Sequence, residues 1–204
     1  MTRFWLVRHG ALVEEARNRC YGALDFALSE TGRAQVTRAA EYLASQPISA
    51  IYTSLLSRAV ESARIIAAPS STPIRIALDL REMNFGDLEG LTYDEIAARH
   101  PEVYRRWMNA PTEVLFPNGE SFSEMRVRVL RAFAAIQAET EGRTVAIVTH
   151  GGVIRILIAW ALGMPDNCVF RLAQDHGAIS LLTLTDGCPT VELLNYRAPC
   201  DMLV

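Results

Sequence analysis

Hydrophobic and polar positions alternate in blocks that change period along the chain. The run Arg3 to Val7 is short, apolar and stops at Arg8-His9-Gly10, which predicts a buried strand. Gly32 to Ala44 carries apolar residues at helical spacing, Ala50 to Thr53 reads as a second strand, and Ser57 to about Ala67 as a second helix. Ile74 to Leu78, set between Pro73 and the charged pair Arg81-Glu82, reads as a short third strand. Thr92 to Glu95 has the spacing at which a Thr side chain and a Glu side chain satisfy each other's free backbone N–H groups, so a helix starts there and runs toward His100-Pro101. Ser121 to Glu124 repeats the device and opens a long helix with Phe122, Met125, Val129, Phe133 and Ile136 on one face. Thr144 to Thr149 is a β-branched strand ending at His150-Gly151-Gly152, with an apolar helix from Val153 to Leu162 behind it. Ala178 to Thr185 and Thr190 to Leu194, joined through Asp186-Gly187, predict a hairpin at a sheet edge.

This rhythm predicts an α/β fold, a three-layer sandwich with a mainly parallel central sheet flanked by helices, whose ligand sites lie at the carboxyl ends of the strands. At 204 residues, without a composition shift or a Ser/Gly-rich linker, residues 1–204 are expected to form one domain. The net charge of -3 is spread as interspersed charges, which argues against a nucleic-acid partner, so an anionic ligand has to be met by a local group of arginines. Cys20, Cys168, Cys188 and Cys200 include no C-x-x-C pair and Met1 to Gly10 lacks the pattern of a secretion signal; free or buried thiols in a cytoplasmic protein are expected. The apolar stretch Ile156 to Met164 is too short to span a membrane. No G-x-G-x-x-G follows a strand and no Walker A loop is present, which disfavours dinucleotide and P-loop chemistry, and no cofactor is expected.

His9 and His150 both end strands and both precede Gly; the second leads into a helix whose free N–H groups favour an anion. Arg8 places a fork of donors beside His9, and Arg58 holds the equivalent place after the second strand. Two arginines and two histidines could therefore converge on one phosphoryl dianion. A neutral imidazole is a good nucleophile toward phosphorus, and neighbouring arginines disfavour its protonation while offsetting charge on the phosphoryl oxygens. Glu82 is the candidate proton donor to the leaving oxygen and the later activator of water. Singly, each residue has a plainer reading: a hydrogen-bonded histidine for His9, a solvated helix residue beside Glu61 for Arg58, and a solvated loop with Arg81, Asp87 and Glu89 for Glu82. The conjunction reverses those readings. His100 is expected at a helix end, His176 in a loop, and Trp107 and Phe116 in packing. A metal held by the two site histidines would lack a close third ligand.

Leu6-Val7-Arg8-His9-Gly10, Ser54-x-x-x-Arg58-Ala59 and Thr149-His150-Gly151 together resemble the histidine phosphatase superfamily, which includes the cofactor-dependent phosphoglycerate mutases, over nearly the whole chain. The resemblance implies a metal-independent, acid-type phosphatase with His9 as nucleophile, Arg8, Arg58, His150 and Gly151 around the phosphate, and Glu82 as proton donor. Cys20 to Ser29, Leu80 to Gly90 and Asn118 to Phe122 further resemble the α-ribazole phosphatases of cobalamin nucleotide-loop assembly, which implies substrate contacts at Tyr21 and Gly22. The expected partner is a small phosphorylated metabolite, α-ribazole 5'-phosphate first among them, handled by a monomer or homodimer without nucleic acid or membrane. A phosphoglycerate mutase, a broad-specificity phosphatase and a non-catalytic binding module are the alternatives. Many members carry Glu-Thr after Arg-His-Gly and a phosphate-contacting Asn beyond it; here Ala11-Leu12 follow, Glu15 stands at the Asn position, and Asn18 is the nearest substitute.

Overall fold

The computed structural model describes residues 1–199. Six strands form one sheet: β1 (Thr2–Arg8), β2 (Ile48–Thr53), β3 (Ile74–Ile76), β4 (Thr144–Thr149), β5 (Ile179–Thr185) and β6 (Cys188–Tyr196), in the order β3-β2-β4-β1-β5-β6. The first four in that order run parallel, and β5 and β6 are antiparallel at one edge. The hairpin at the edge and the mainly parallel sheet are as the periodicity predicts.

The two faces of β1 and β4 feed different cores. Phe4, Leu6, Val145 and Ile147 point into a cluster with Phe133, Ile154 and Leu157, so α5 (Phe122–Glu139) and α6 (Gly151–Ala161) cover that face. Trp5, Val7, Ala146 and Val148 alternate with them and pack on Val36, Ala39, Ala63 and Ile66 from α1 (Glu30–Leu43) and α2 (Ser57–Ala67). Burial of both faces explains why these strands read as continuous apolar runs.

Local signals place most helix starts. Ser29 Oγ accepts from Gly32 N at 3.0 Å, so α1 begins at Glu30, two residues before the expected start. Both capping boxes form, at Thr92/Glu95 for α3 (Tyr93–Arg99) and at Ser121/Glu124 for α5. Two elements depart from expectation. The third strand ends at Ile76 because the chain turns into a single 3-10 turn, Leu78–Leu80, that delivers Glu82 to the strand ends. A helix α4 (Pro101–Asn109) follows directly on α3, with Pro101 as its first residue and His100 shared as cap of both; Pro stops one helix and starts the next. Cys20, Cys168 and Cys188 are free, and Cys200 lies outside the described residues. No described helix is long and apolar enough to cross a membrane.

Candidate active site

β1 and β4 are parallel neighbours in register, with Arg8 opposite Thr149, so their ends present His9 and His150 side by side. The two rings lie 5.2 Å apart, edge to face. The turn after β1 runs against the start of α1 so closely that a Cβ on Gly10 would lie 2.2 Å from Gly32 O, and one on Gly32 would lie 2.0 Å from Ala11 O. Two glycines are therefore required where His9 leaves the strand. His9 is 2% exposed, and Arg58 and His150 are fully buried. Gly10 O lies 2.8 Å from His9 Nδ1 and can only accept, so Nδ1 carries the proton and the Nε2 lone pair is left free in the neutral ring.

Burial is the main force holding His9 neutral; His150, Arg8, Arg58 and His176 add to it, and together they push its pKa well below the usual histidine value. His150 is pushed down in the same way, by burial and then by Arg58 and Arg8. Its Nε2 lies 2.7 Å from Ser54 Oγ; when the Ser54 hydroxyl donates there, Nδ1–H remains as a donor. Among the described residues, the buried polar atoms without a protein partner concentrate at this place: Arg8 Nε, Arg58 Nε, His150 Nδ1 and His176 Nε2. Such donors are costly to leave unpaired, and their number and charge match a tetrahedral oxyanion.

Arg58, from the first turn of α2, gives its remaining donors to the segment after Cys20: Nη2 to Gly22 O at 2.6 Å and Nη1 to Leu24 O at 2.8 Å, with Asp25 Oδ1 at 3.4 Å. The Tyr21 ring lies 5.5 Å from its guanidinium carbon, and the Tyr21 hydroxyl is in reach of Arg8. The same segment is tied from its other side by Glu89, whose carboxylate accepts from Gly22 N, Ala23 N, Leu24 N and Phe85 N at 2.9 to 3.0 Å. Gly22 is required because a Cβ there would fall 1.7 Å from Met83 O. Gly22 itself lies behind the wall that Cys20 and Tyr21 give to a cavity of about 250 Å³, which opens onto Arg8 and His9.

Glu82 lines the cavity with its carboxylate at the N-terminus of α6, accepting from Gly152 N through Oε2 and from Met83 N through Oε1, both at 3.0 Å. A Cβ on Gly152 would lie 2.3 Å from Glu82 Oε1. Arg128 of α5 fixes the segment that carries Glu82: it donates to Asp79 O, Arg81 O and Glu82 O at 2.7 to 3.0 Å and closes a 2.9 Å bond with Glu120 Oε2. The predicted residues His9, Arg8, Arg58, His150, Gly151, Glu82, Tyr21 and Gly22 therefore meet at one place. Glu15 and Asn18, by contrast, are exposed and do not line the cavity.

Sequence reasoning missed several contributors. His176 lies in a loop as expected, but its ring sits 5.4 Å from that of His9, and burial pushes its pKa down to about 3. Trp107 does pack, on Phe85, Phe116 and Tyr93, yet it also walls the cavity; Phe116 is buried behind it. Arg155, one turn into α6, and Arg128 were not singled out. An arginine set within the apolar face of a helix, between Met125 and Val129, was the available signal for Arg128.

A family model of the histidine phosphatase superfamily, branch 1, matches residues 4–197. A bifunctional protein of Mycobacterium tuberculosis is 37% identical over 196 residues, which cover 95% of this chain but 54% of that protein, so the chain spans about half the length of that relative. The adenosylcobalamin/α-ribazole phosphatase of Salmonella typhimurium is 30% identical, with 96% of this chain and 97% of that one covered. Among solved structures, the α-ribazole phosphatase from Shigella flexneri superposes with a TM-score of 0.90 at 29% identity, covering 96% of this chain and 97% of that chain. With two histidines and two arginines gathered at the ends of a mainly parallel sheet and a family match over nearly every described residue, this chain belongs to the histidine phosphatase superfamily.

Proposed function

We propose that the protein hydrolyses phosphomonoesters of small metabolites through a phosphohistidine at His9, without a metal ion. The observation that carries this reading is the buried, neutral His9 with a free Nε2 lone pair, set among unpaired donors of Arg8, Arg58 and His150. Nε2 attacks phosphorus; the N–P bond forms as the bond to the ester oxygen breaks, and that oxygen takes the proton of a protonated Glu82. Water then attacks the phosphoryl group, gives its proton to Glu82, and the N–P bond breaks to release phosphate and neutral His9. Arg8, Arg58 and the α6 N-terminus balance the charge on the phosphoryl oxygens throughout.

α-Ribazole 5'-phosphate is the finer candidate substrate, supported by the likeness to the Salmonella and Shigella enzymes and by the aromatic wall of Trp107, Phe85 and Tyr93. Rapid quench of labelled ester under conditions that preserve phosphoramidates is expected to trap label on His9 and to trap none in His9→Ala; turnover with no phosphohistidine refutes the mechanism. Phosphate release compared across α-ribazole phosphate, phosphoglycerates, phosphoserine, sugar phosphates and nucleotides, alongside an assay for exchange between phosphoglycerate isomers, tests the substrate and separates hydrolase from mutase.

A further inference from the structure

The loop that leads into β5 holds the first strand end of the site in place. Gln174 O accepts from Arg8 Nη1, Gly177 N donates to Arg8 O and His9 O, both at 3.1 Å, and the His176 ring stands 5.4 Å from that of His9. Asp175, in the middle of this loop, is exposed and is gripped from elsewhere, by Asn195 of β6. Asp175 N donates to Asn195 Oδ1 at 2.7 Å, and Asn195 Nδ2 donates to Asp175 Oδ2 at 3.2 Å. Asn195 N in turn donates to Oγ of the buried Ser180 at 3.0 Å, which ties the pair to β5. The backbone is shaped for this grip. Ile179 pairs with Tyr196 and Leu181 with Leu193, so β6 takes three residue steps where β5 takes two, and the extra residue makes a bulge. Asn195 sits there at φ 52, a left-handed conformation that Asn adopts readily and a β-branched residue does not. Bulges re-aim the side chains they carry, and the amide carried here meets the loop that holds Arg8.

We propose that Asn195, which lines no part of the catalytic cavity, is a positioning residue for Arg8: it clamps Asp175, and the clamped loop keeps Gln174 O on the Arg8 guanidinium. The inference rests on the phosphatase reading and extends it to the far edge of the sheet. Pairing of β1 with β4 and β5 fixes the Arg8 backbone, and Gln174 O fixes the far end of its side chain while Nε stays unpaired. A guanidinium ordered in advance binds an anion more tightly than one the anion has to order. A loop carbonyl can do this only as far as the loop is itself held, and Asn195 holds it by two bonds.

The test uses inorganic phosphate as the probe, followed by phosphorus NMR titration of the whole chain, which also reads weak binding. Asn195→Gly removes both side-chain bonds and suits the left-handed backbone. It is expected to weaken phosphate about 3- to 10-fold, the size of one lost hydrogen bond. The same substitution made in Arg8→Met protein is expected to change phosphate binding by less than about 1.5-fold, because the clamp then has no guanidinium to hold. Leu193→Ala loosens the same hairpin without touching the clamp; it is expected to lower the unfolding midpoint and leave phosphate within about 1.5-fold. Unchanged phosphate affinity in Asn195→Gly overturns the proposal. So does a loss of equal size with and without Arg8, or an equal loss in Leu193→Ala, since either would assign Asn195 to the hairpin alone. Turnover separates the two readings: a protein that shows the expected binding pattern but releases phosphate from no ester refutes the phosphatase and leaves the clamp standing, whereas native protein that binds no phosphate overturns both.

Discussion

Two buried histidines and a third, half-buried one, all held as neutral rings, make the folded protein sensitive to mild acid, and the size of the effect can be worked out. His9 and His150 sit well below the usual histidine pKa, and His176 is pushed down to about 3. In the unfolded chain all three return to about 6.5, so below that pH the unfolded state binds protons that the folded state refuses. The sign follows: stability is fully present above pH 6.5 and is lost as pH falls from there toward the native values. Between pH 7.5 and 5.5 each histidine removes about 1.4 kcal/mol, so the three together remove about 4 kcal/mol, a large part of an ordinary domain's stability. Glu95 and Glu124, whose capping-box bonds hold them below the normal carboxylate value, titrate beneath this window. Urea unfolding at half-unit pH steps gives the slope, and proton uptake on unfolding gives its cause. His176→Asn and His9→Asn are each expected to reduce uptake at pH 5.5 by about 0.9 proton. Unchanged uptake in both variants refutes the claim that these rings are held neutral, and with it the electrostatic ground for His9 as a nucleophile at neutral pH.

Glu82→Gln is expected to lower kcat on alkyl phosphates by about 100-fold or more but to cost p-nitrophenyl phosphate far less, because that leaving oxygen needs no proton; equal losses on both would remove Glu82 from the role. Arg128→Met takes the donor from the carbonyls of Asp79, Arg81 and Glu82 and the nearest cation from the part-buried Glu120 carboxylate, which keeps Asn84 N and the more distant Arg81, so it is expected to destabilise by about 3 kcal/mol and to lower kcat while inhibition by inorganic phosphate holds. An unchanged denaturation midpoint contradicts that account. Excess chelator is expected to leave turnover within about twofold, as catalysis resting on Arg8, Arg58 and the α6 N-terminus implies; loss restored by a divalent ion would place a metal in the mechanism.

The strands, the two capping boxes and the pairing of His9 with His150 were legible because each is written in a short stretch: period, cap residue or strand end. α4 escapes the periodic signal because Pro101 marks the stop of the helix before it, although the same residue suits a first turn. Glu89, Arg128, Arg155 and His176 belong to a different category. Glu89 meets backbone 65 to 67 residues away, and Arg128 reaches carbonyls 46 to 49 residues away. Periodicity describes an element's own faces and carries nothing about which distant loop will lie over them.

The choice of partners also hides these residues, and it bears on the chemistry. Arg8 is held by the Gln174 carbonyl, Arg155 by that of Leu172, and Arg58 by those of Gly22 and Leu24, with Asp25 more distant. A search of the sequence for complementary charges finds ion pairs, and it is blind to arginines whose acceptors are main-chain oxygens. Carboxylates in those positions would fix the guanidinium groups equally well but would cancel their charge. Carbonyls fix the geometry and leave the positive charge uncancelled, in a buried place where it keeps His9 neutral and is strongest toward a bound anion. The cost of gathering cations that carboxylates compensate only in part, Asp25 at Arg58 among them, is borne by the fold, and binding of a phosphorylated ligand relieves it.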